Sequence, residues 1–140
     1  MTITLDTEAI KLITFFENFT GAPVKDCLID NKTNTVYFLI EEGKIGMAIG
    51  KNGNNVKDAE RKIKKTIKVI EFSSDLVNFV KNIIPQATDV KIRIENDKKI
   101  VEVRVEKNNK AFVIGRDGKN LKLYKTLLQR NYKISELIVK

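Results

Sequence analysis

Two short glycine segments, 65 residues apart, have the composition of an anion-binding loop. Residues 50–53 read Gly-Lys-Asn-Gly and residues 115–118 read Gly-Arg-Asp-Gly, and each segment lies between two stretches with the apolar spacing of a helix. Glycine has no Cβ, so a phosphate can approach the backbone closely at these positions. The first N–H groups of the following helix have no intrahelical partner and point toward such an anion. Lys51 and Arg116 would add a positive charge to each loop.

The duplication of this segment favours a binding role. One Gly-x-x-Gly is a weak indication, because glycines at this spacing can also serve only the tight packing of two helices. Two copies at matching places, each preceded by isoleucine, are hard to explain by packing alone. We therefore predict that a sugar-phosphate backbone crosses both loops, with the isoleucines beside unstacked bases. The predicted binding residues are Ile49, Gly50, Lys51, Asn52, Gly53, Lys57, Ile114, Gly115, Arg116, Asp117, Gly118, Lys119 and Lys122.

The distribution of charge agrees with this prediction. Residues 1–42 have a net charge of −4, whereas residues 43–72 have +5 and residues 73–140 have +7. Positive charge thus accumulates in the same segments as the glycines, as a groove for nucleic acid requires. We interpret the basic run of residues 61–65 as a solvated helix face. The acidic opening segment would repel nucleic acid and face a protein partner or water.

The glycine segments belong to an internal repeat. Sliding the sequence by 65 positions superposes the two segments and the apolar stretches before them, and it also places Glu71 on Glu136. The apolar pattern is retained throughout, which is typical of two copies of one small domain. We predict a first domain of residues 1–72 and a second domain of residues 73–140.

Each half shows the same predicted order of elements: helix, strand, strand, helix, glycine segment, helix, strand. In the first half we predict a helix over residues 6–18 and strands over 24–30 and 36–41. A short helix with Ile45, Ala48 and Ile49, a longer helix after Gly53 and a strand over 67–72 are predicted to follow. In the second half we predict a helix capped by Ser73 and ended by Pro85, half-buried alternating strands over 90–95 and 100–106, helices on both sides of residues 115–118, and a strand over 133–139. Halves of about 65 residues are near the lower limit for independent stability, so we expect an α+β fold whose two domains pack together.

The two halves resemble the KH domain in its prokaryotic, type II arrangement, on the basis of residues 49–53 and 114–118. Each of these segments is the loop in the order helix, strand, strand, helix, loop, helix, strand. Two such copies in a short basic chain are similar to archaeal NusA-like transcription factors, and the resemblance covers nearly all of the chain. It implies two tandem type II KH domains, each a three-stranded sheet with helices on one face. It also implies that single-stranded RNA, the nascent transcript, binds across the loops at about four nucleotides per domain. A role in transcription elongation or termination follows from the same resemblance.

The family pattern is not matched everywhere. Bacterial NusA adds an N-terminal polymerase-binding domain and an S1 domain, for which 140 residues leave no room. The resemblance therefore implies RNA binding more directly than contact with RNA polymerase. Asp117 places an acid close to the expected phosphate path. Acidic residues occur at this position in KH loops, so we do not expect Asp117 to inactivate the second loop. We expect its charge to make RNA binding there weaker or to shift the path of the RNA backbone.

The composition excludes several kinds of chemistry. The chain has 140 residues, a net charge of +8 and a pI of about 9.5, with no histidine and one cysteine. Catalysis by histidine, zinc sites with histidine ligands, internal disulfides and cysteine-rich metal sites are therefore excluded. We find neither 18 consecutive apolar residues nor the pattern of a signal peptide. We expect a cytoplasmic protein with no cofactor, no metal, no membrane contact and no small-molecule substrate.

Several reactive or aromatic side chains are predicted to lie in the core. The repeat places Cys27 on Ile92, so we expect a buried thiol. Phe112 lies beside the second loop, at the position equivalent to Met47, and is the aromatic residue best placed to touch a base, although we favour a core position for it. The other aromatic residues predicted as core are Phe15, Phe16, Phe19, Tyr37 and Phe38.

Three other functions are compatible with the residues. A KH protein of ribosome biogenesis or RNA processing would need the same groove and would differ in the particle with which it co-purifies. A protein-interaction scaffold that has lost RNA binding is supported by Asp117 and by the acidic opening segment. An enzyme is disfavoured, because the loops do not match the Walker A spacing and no set of nucleophile and base is apparent. A nuclease with dispersed carboxylates is not excluded by the residues.

Overall fold

A computed structural model describes residues 7–140 of the chain. The chain divides into two compact units, Met1–Ser74 and Asp75–Lys140. The first predicted helix was expected to begin at Asp6, which lies outside the described residues.

Both units contain the predicted order of elements, which confirms an α+β fold with the same topology in each half. The first unit consists of α1 (Thr7–Thr20), β1 (Val24–Asp30), β2 (Thr35–Ile40), α2 (Ile45–Ile49), a 3₁₀ turn (Lys51–Gly53), α3 (Asn54–Ile63) and β3 (Thr66–Glu71). The second unit consists of α4 (Leu76–Ile83), β4 (Ala87–Glu95), β5 (Lys98–Val105), α5 (Lys107–Ile114), a 3₁₀ turn (Arg116–Gly118), α6 (Lys119–Tyr132) and β6 (Glu136–Val139).

Each unit has one three-stranded mixed sheet. The strand order is β1-β2-β3 in the first unit and β4-β5-β6 in the second. The first two strands of each sheet are antiparallel and the last two are parallel. Parallel neighbours need a long crossover connection. In both units the two helices that flank the glycine segment provide this crossover, so the loop lies in the middle of the connection.

The helices of the first unit pack on one face of its sheet. One core cluster contains Phe16 from α1, Ala48 from α2 and Ala59 from α3, together with alternate residues of the strands: Cys27, Val36, Phe38, Ile40 and Ile67. The rings of Phe16 and Phe38 stack with their centroids 4.3 Å apart. Alternate strand residues share one face of a sheet, so the three helices must lie on the same side.

Three of the seven predicted core residues are buried and three are half-buried. The Cys27 side chain is buried. Phe16 and Phe38 are fully buried, while Phe15 and Phe19 are half-buried and pack against the same cluster. Tyr37 is also half-buried. The prediction of a core position for Phe112 is wrong, because its side chain is exposed.

The prediction of a half-buried alternating strand is wrong for β4. None of its nine residues is fully buried, and Ile92 and Ile94 expose 38% and 71% of their surface. Its partner β5 does alternate, with Val101, Val103 and Val105 buried. β4 is an edge strand, and the hairpin it forms with β5 is longer than the β1–β2 hairpin. Residues 94–98, at the tip of this longer hairpin, are all exposed.

The pairing of the strands shows that the 65-residue shift aligns some residues of the two halves incorrectly. Cys27 pairs with Phe38, and Val90 pairs with Val103, the residue 65 positions after Phe38. Cys27 therefore corresponds to Val90, not to Ile92, because the second hairpin holds two more residues than the first beyond equivalent strand pairs, and its strands are longer.

The last strand of the second unit comes later in the chain than the 65-residue shift places it, whereas the residue equivalent to Cys27 comes earlier. α6 has 14 residues whereas α3 has 10, so β6 begins at Glu136 rather than at residue 133. Thr66 pairs with Thr35, and Glu136 pairs with Ile100, the residue equivalent to Thr35. Glu136 thus corresponds to Thr66, and its alignment with Glu71 is wrong.

The start of α4 differs from the prediction by two residues. Asp75, not Ser73, is the N-cap, and its carboxylate accepts a hydrogen bond from the Val77 N–H at 3.1 Å. Ser73 is buried, and its hydroxyl donates to Glu42 at 3.3 Å. A cap must immediately precede the first helical residue, and only Asp75 does so. The helix ends two residues before Pro85, as predicted.

The described part of the chain contains no helix that is long and apolar enough to span a membrane. Residues 7–140 also contain no group of three or more cysteine, aspartate or glutamate side chains arranged to hold a metal ion.

Candidate nucleic-acid interface

The two glycine loops have the same backbone conformation. Gly50 and Gly115 have φ, ψ of 76°, 173° and 79°, 168°. The third residue of each loop, Asn52 or Asp117, is left-handed, with φ of 55° and 58°. The second glycine of each loop is left-handed as well. Two segments with different inner residues have thus folded into one geometry.

The left-handed third position accounts for the acid in the second loop. Among residues other than glycine, asparagine and aspartate enter this region most readily, because their short polar side chains bond locally. Asn52 and Asp117 both satisfy that requirement at nearly the same φ. The aspartate is therefore compatible with the loop's shape, and only its charge differs from the first loop.

The first glycine of each loop is required by the close approach of the next helix. A Cβ placed on Gly50 would lie 2.5 Å from Cγ of Asn55. A Cβ on Gly115 would lie 2.8 Å from Cγ of Asn120 and 2.9 Å from its backbone nitrogen. These separations are well inside van der Waals contact, so only glycine fits. Packing is thus one role of the glycines, and it leaves the loop backbone on the surface.

An asparagine braces each loop. The Asn55 amide donates to the carbonyl of Met47 at 2.8 Å, and the Asn120 amide donates to the carbonyl of Phe112 at 3.1 Å. Both bonds join the helix after the loop to the helix before it. The sequence analysis did not identify these residues, although each follows the second glycine by two positions and the 65-residue shift superposes them.

Backbone donors and basic residues occur together at each loop and at the start of the next helix. The N-cap residues of α3 and α6 are Gly53 and Gly118, which have no side chain to cover the first N–H groups. Anions are stabilised at such a helix start. The predicted basic residues Lys51, Lys57, Arg116 and Lys122 are exposed, and Lys119 is half-buried.

Apolar side chains border both loops. Met47 and Ile49 of α2 expose 45% and 38% of their surface. In α5, Val113 is buried while its neighbour Phe112 is 66% exposed, because consecutive helical residues point about 100° apart. Phe112 therefore lies on the surface rather than in the core, and Ile114 is half-buried. Each loop thus has exposed apolar surface one turn before its first glycine.

Comparisons with known proteins agree with this geometry. A family model for the KH domain matches residues 12–74, and a model for the NusA-like second KH domain matches residues 76–139. The crystal structure of APE1850 matches 99% of this chain and 100% of its own, with a TM-score of 0.77 and 33% sequence identity.

Two archaeal relatives have the name probable transcription termination protein NusA. That of Methanocaldococcus jannaschii is 35% identical over 139 residues, which are 98% of this chain and 75% of the relative. That of Methanococcus vannielii is 42% identical over 123 residues, which are 86% of this chain and 70% of the relative. With this identity along the chain and a KH match on each half, the chain belongs to the NusA-like family of proteins with two KH domains.

Proposed function

We propose that this protein binds single-stranded RNA across its two glycine loops and acts on the nascent transcript in transcription termination. The observation that supports this most is the shared geometry of the loops, each within a KH domain. In KH domains the Gly-x-x-Gly loop clamps about four backbone nucleotides. The part played in termination rests on the names of the relatives.

The proposed mechanism uses the backbone first and the bases second. Phosphates approach residues 50–53 and 115–118, where the helix starts and the exposed Lys51 and Arg116 favour negative charge. Unstacked bases lie against the apolar residues of α2 and α5, including Met47 and Phe112. Affinity should fall with salt, and a stable duplex should bind poorly because its bases are stacked and paired.

The proposal involves binding without catalysis, in the cytoplasm, where the transcript is made. RNA polymerase is the second partner we propose, since a termination factor acts on a transcribing complex. Retention of purified archaeal RNA polymerase on the immobilised chain, with and without RNA, tests that contact. Retention of ribosomal particles in place of polymerase would instead indicate a role in ribosome biogenesis.

The RNA contact is tested by fluorescence anisotropy with a labelled single strand of about 12 nucleotides, room for two modules of about four. The parent chain is compared over a salt series with a variant combining Lys51→Asp and Arg116→Asp. A control combines Lys11→Asp and Lys81→Asp, exposed positions on helices that carry neither loop. We expect salt-dependent binding by parent and control, and its loss in the loop variant. Equal binding by all three would refute the assignment of RNA to the loops.

A further inference from the structure

A shallow basic cavity extends along α3 to the C-terminal end of that helix. Its volume is about 470 Å³. Four of its lining residues are cationic and one is acidic. The lining consists of Asn34, Lys57, Glu60, Arg61, Lys64, Lys65 and Thr66. The sequence analysis interpreted residues 61–65 as a solvated helix face, but the structure brings three of them to one concave surface.

The walls of this cavity are held together by the chain itself. α3 ends at Ile63, and its C-cap residue Lys64 is left-handed with φ of 57°. The Asn34 amide donates to the Lys64 carbonyl at 2.9 Å, and the Lys65 ammonium donates to the Asn34 side-chain oxygen at 3.0 Å. The turn between β1 and β2 and the end of α3 are therefore fixed relative to each other. The basic groups do not depend on a ligand to bring them together.

The acids near the cavity are engaged in other contacts. Glu60 accepts a hydrogen bond from the Ile67 N–H at 2.8 Å, which joins α3 to β3. Asp58 pairs with Arg61 at 2.8 Å and balances that one cation. Lys57, Lys64 and Lys65 contribute three further positive charges to the lining. The cavity is therefore positive on balance, and an anion there would meet several cations together.

Lys57 lies between the cavity and the glycine loop. A Cβ on Gly53 would lie 3.8 Å from Cε of Lys57, and Lys57 also lines the cavity. Lys57, Arg61 and Lys64 follow one another at intervals of four and three, so they lie on one face of the helix. The ten residues of α3 span about 15 Å, the rise of about four stacked nucleotides.

We propose that the RNA strand bound at the first loop continues along α3 and places further phosphates in this cavity. The inference rests on the proposed function and extends its site. It gives the first unit a longer backbone footprint than the second. At the equivalent places α6 has Thr126 and Gln129 instead of Arg61 and Lys64, and it continues for another turn to Tyr132.

The test measures salt dependence for two lengths of RNA. All proteins are full chains with Arg116→Asp, so that the first loop dominates binding. The variant combines Lys64→Asn, which suits the left-handed φ, with Lys65→Gln, which keeps a donor for Asn34. The control combines Lys11→Gln and Lys81→Gln. The probes are labelled mixed-sequence single strands of about four and about eight nucleotides.

We expect the variant to bind the short strand as the control does, and to lose the extra affinity for the long strand. For single strands the logarithm of affinity falls with a slope of about 0.7 per neutralised phosphate. Removal of two contacts should therefore lower the salt slope for the long strand by about 1.4. Matching circular dichroism and thermal midpoints would show that the variant is folded.

Three results would overturn the inference. An unchanged slope and affinity of the variant for the long strand would remove the cavity from the RNA path and leave the loops as the site. An equal loss in the control would mean that only overall charge matters. Absence of RNA binding by the chain without substitutions would overturn both this inference and the proposed function.

Discussion

The side-chain amide of Asn55 donates a hydrogen bond to the backbone carbonyl of Met47 at 2.8 Å, across the loop that separates them in the chain. The bond fixes α3 against α2 and so sets the direction in which the loop faces. Asn120 and Phe112 form the equivalent bond in the second unit. Together with the shared glycines, this brace is common to two loops whose inner residues differ.

Replacement of Asn55 by alanine should weaken RNA binding and destabilise the first unit. The lost hydrogen bond is worth about 1 kcal/mol in the free energy of unfolding. Affinity should fall further than stability suggests, because the loop would no longer be held in one orientation. Chemical denaturation and anisotropy measure the two effects. Asn54→Ala, a change at the exposed neighbouring position, serves as control, and equal RNA affinity of both variants would contradict a bracing role.

The two glycines of the first loop should differ in their tolerance of a side chain. At Gly50, φ and ψ are 76° and 173°, a region open almost only to glycine, and a Cβ would press on Asn55. At Gly53 the conformation is ordinary left-handed and a Cβ has no neighbour closer than 3.8 Å. Gly50→Ala should cost about 3 kcal/mol of unfolding free energy, and Gly53→Ala about 1 kcal/mol. Equal losses in denaturant titrations would contradict this order.

The sequence allowed the topology and the loops to be predicted, because glycines and apolar periodicity mark them directly. The two lengths that differ between the halves could not be predicted. The longer β4–β5 hairpin and the extra turn of α6 leave no mark in the apolar pattern. A single shift of 65 therefore misaligned Cys27 and Glu71, although it aligned both loops.

The residues missed at the site were missed for a different reason. Asn55 and Asn120 look like ordinary polar positions on a solvated helix, and only their bonds across the loop distinguish them. Arg61, Lys64 and Lys65 look like a solvated run, because the turn containing Asn34 approaches them from a distant part of the chain. Such contacts depend on tertiary structure, which periodicity does not encode.

Phe112 should contribute to RNA affinity with little effect on stability. Its ring is 66% exposed, so Phe112→Ala should change the unfolding free energy by less than about 0.5 kcal/mol. Stacking of one base on an aromatic ring is worth about 1–3 kcal/mol. Anisotropy should therefore show a loss of roughly fivefold or more. Ile94→Ala, an equally exposed apolar change on β4, is the control, and a similar loss there would argue against stacking at Phe112.

The ion pair between β5 and the chain end should give the second unit a dependence on acid. Lys140 lies 2.7 Å from Glu102 and lowers the pKa of that carboxyl below its ordinary value of 4.5, chiefly through their hydrogen bond. A carboxyl whose pKa is lowered by folding stabilises the folded state at pH values above its ordinary pKa. This stabilisation is lost as the pH falls through the lowered pKa of the folded state. In Lys140→Gln, an NMR titration should show the Glu102 pKa moving up toward 4.5. Lys107→Gln should leave it in place, and an unmoved pKa in Lys140→Gln would exclude the ion pair as the cause.

The charge at the third loop position should set the difference between the two RNA sites. Asn52 and Asp117 share one backbone conformation, so Asn52→Asp and Asp117→Asn exchange a charge with little strain. A unit charge about 4 Å from a phosphate is worth about 1 kcal/mol in water, or about fivefold in affinity. Asp117→Asn should therefore tighten RNA binding and Asn52→Asp should weaken it, with thermal midpoints unchanged. Both differences should shrink as salt is raised, since exposed charges are screened over about 10 Å at 0.1 M. If the two substitutions shift affinity in the same direction, or if the shifts persist at high salt, the aspartate acts through the shape of the loop and not through its charge.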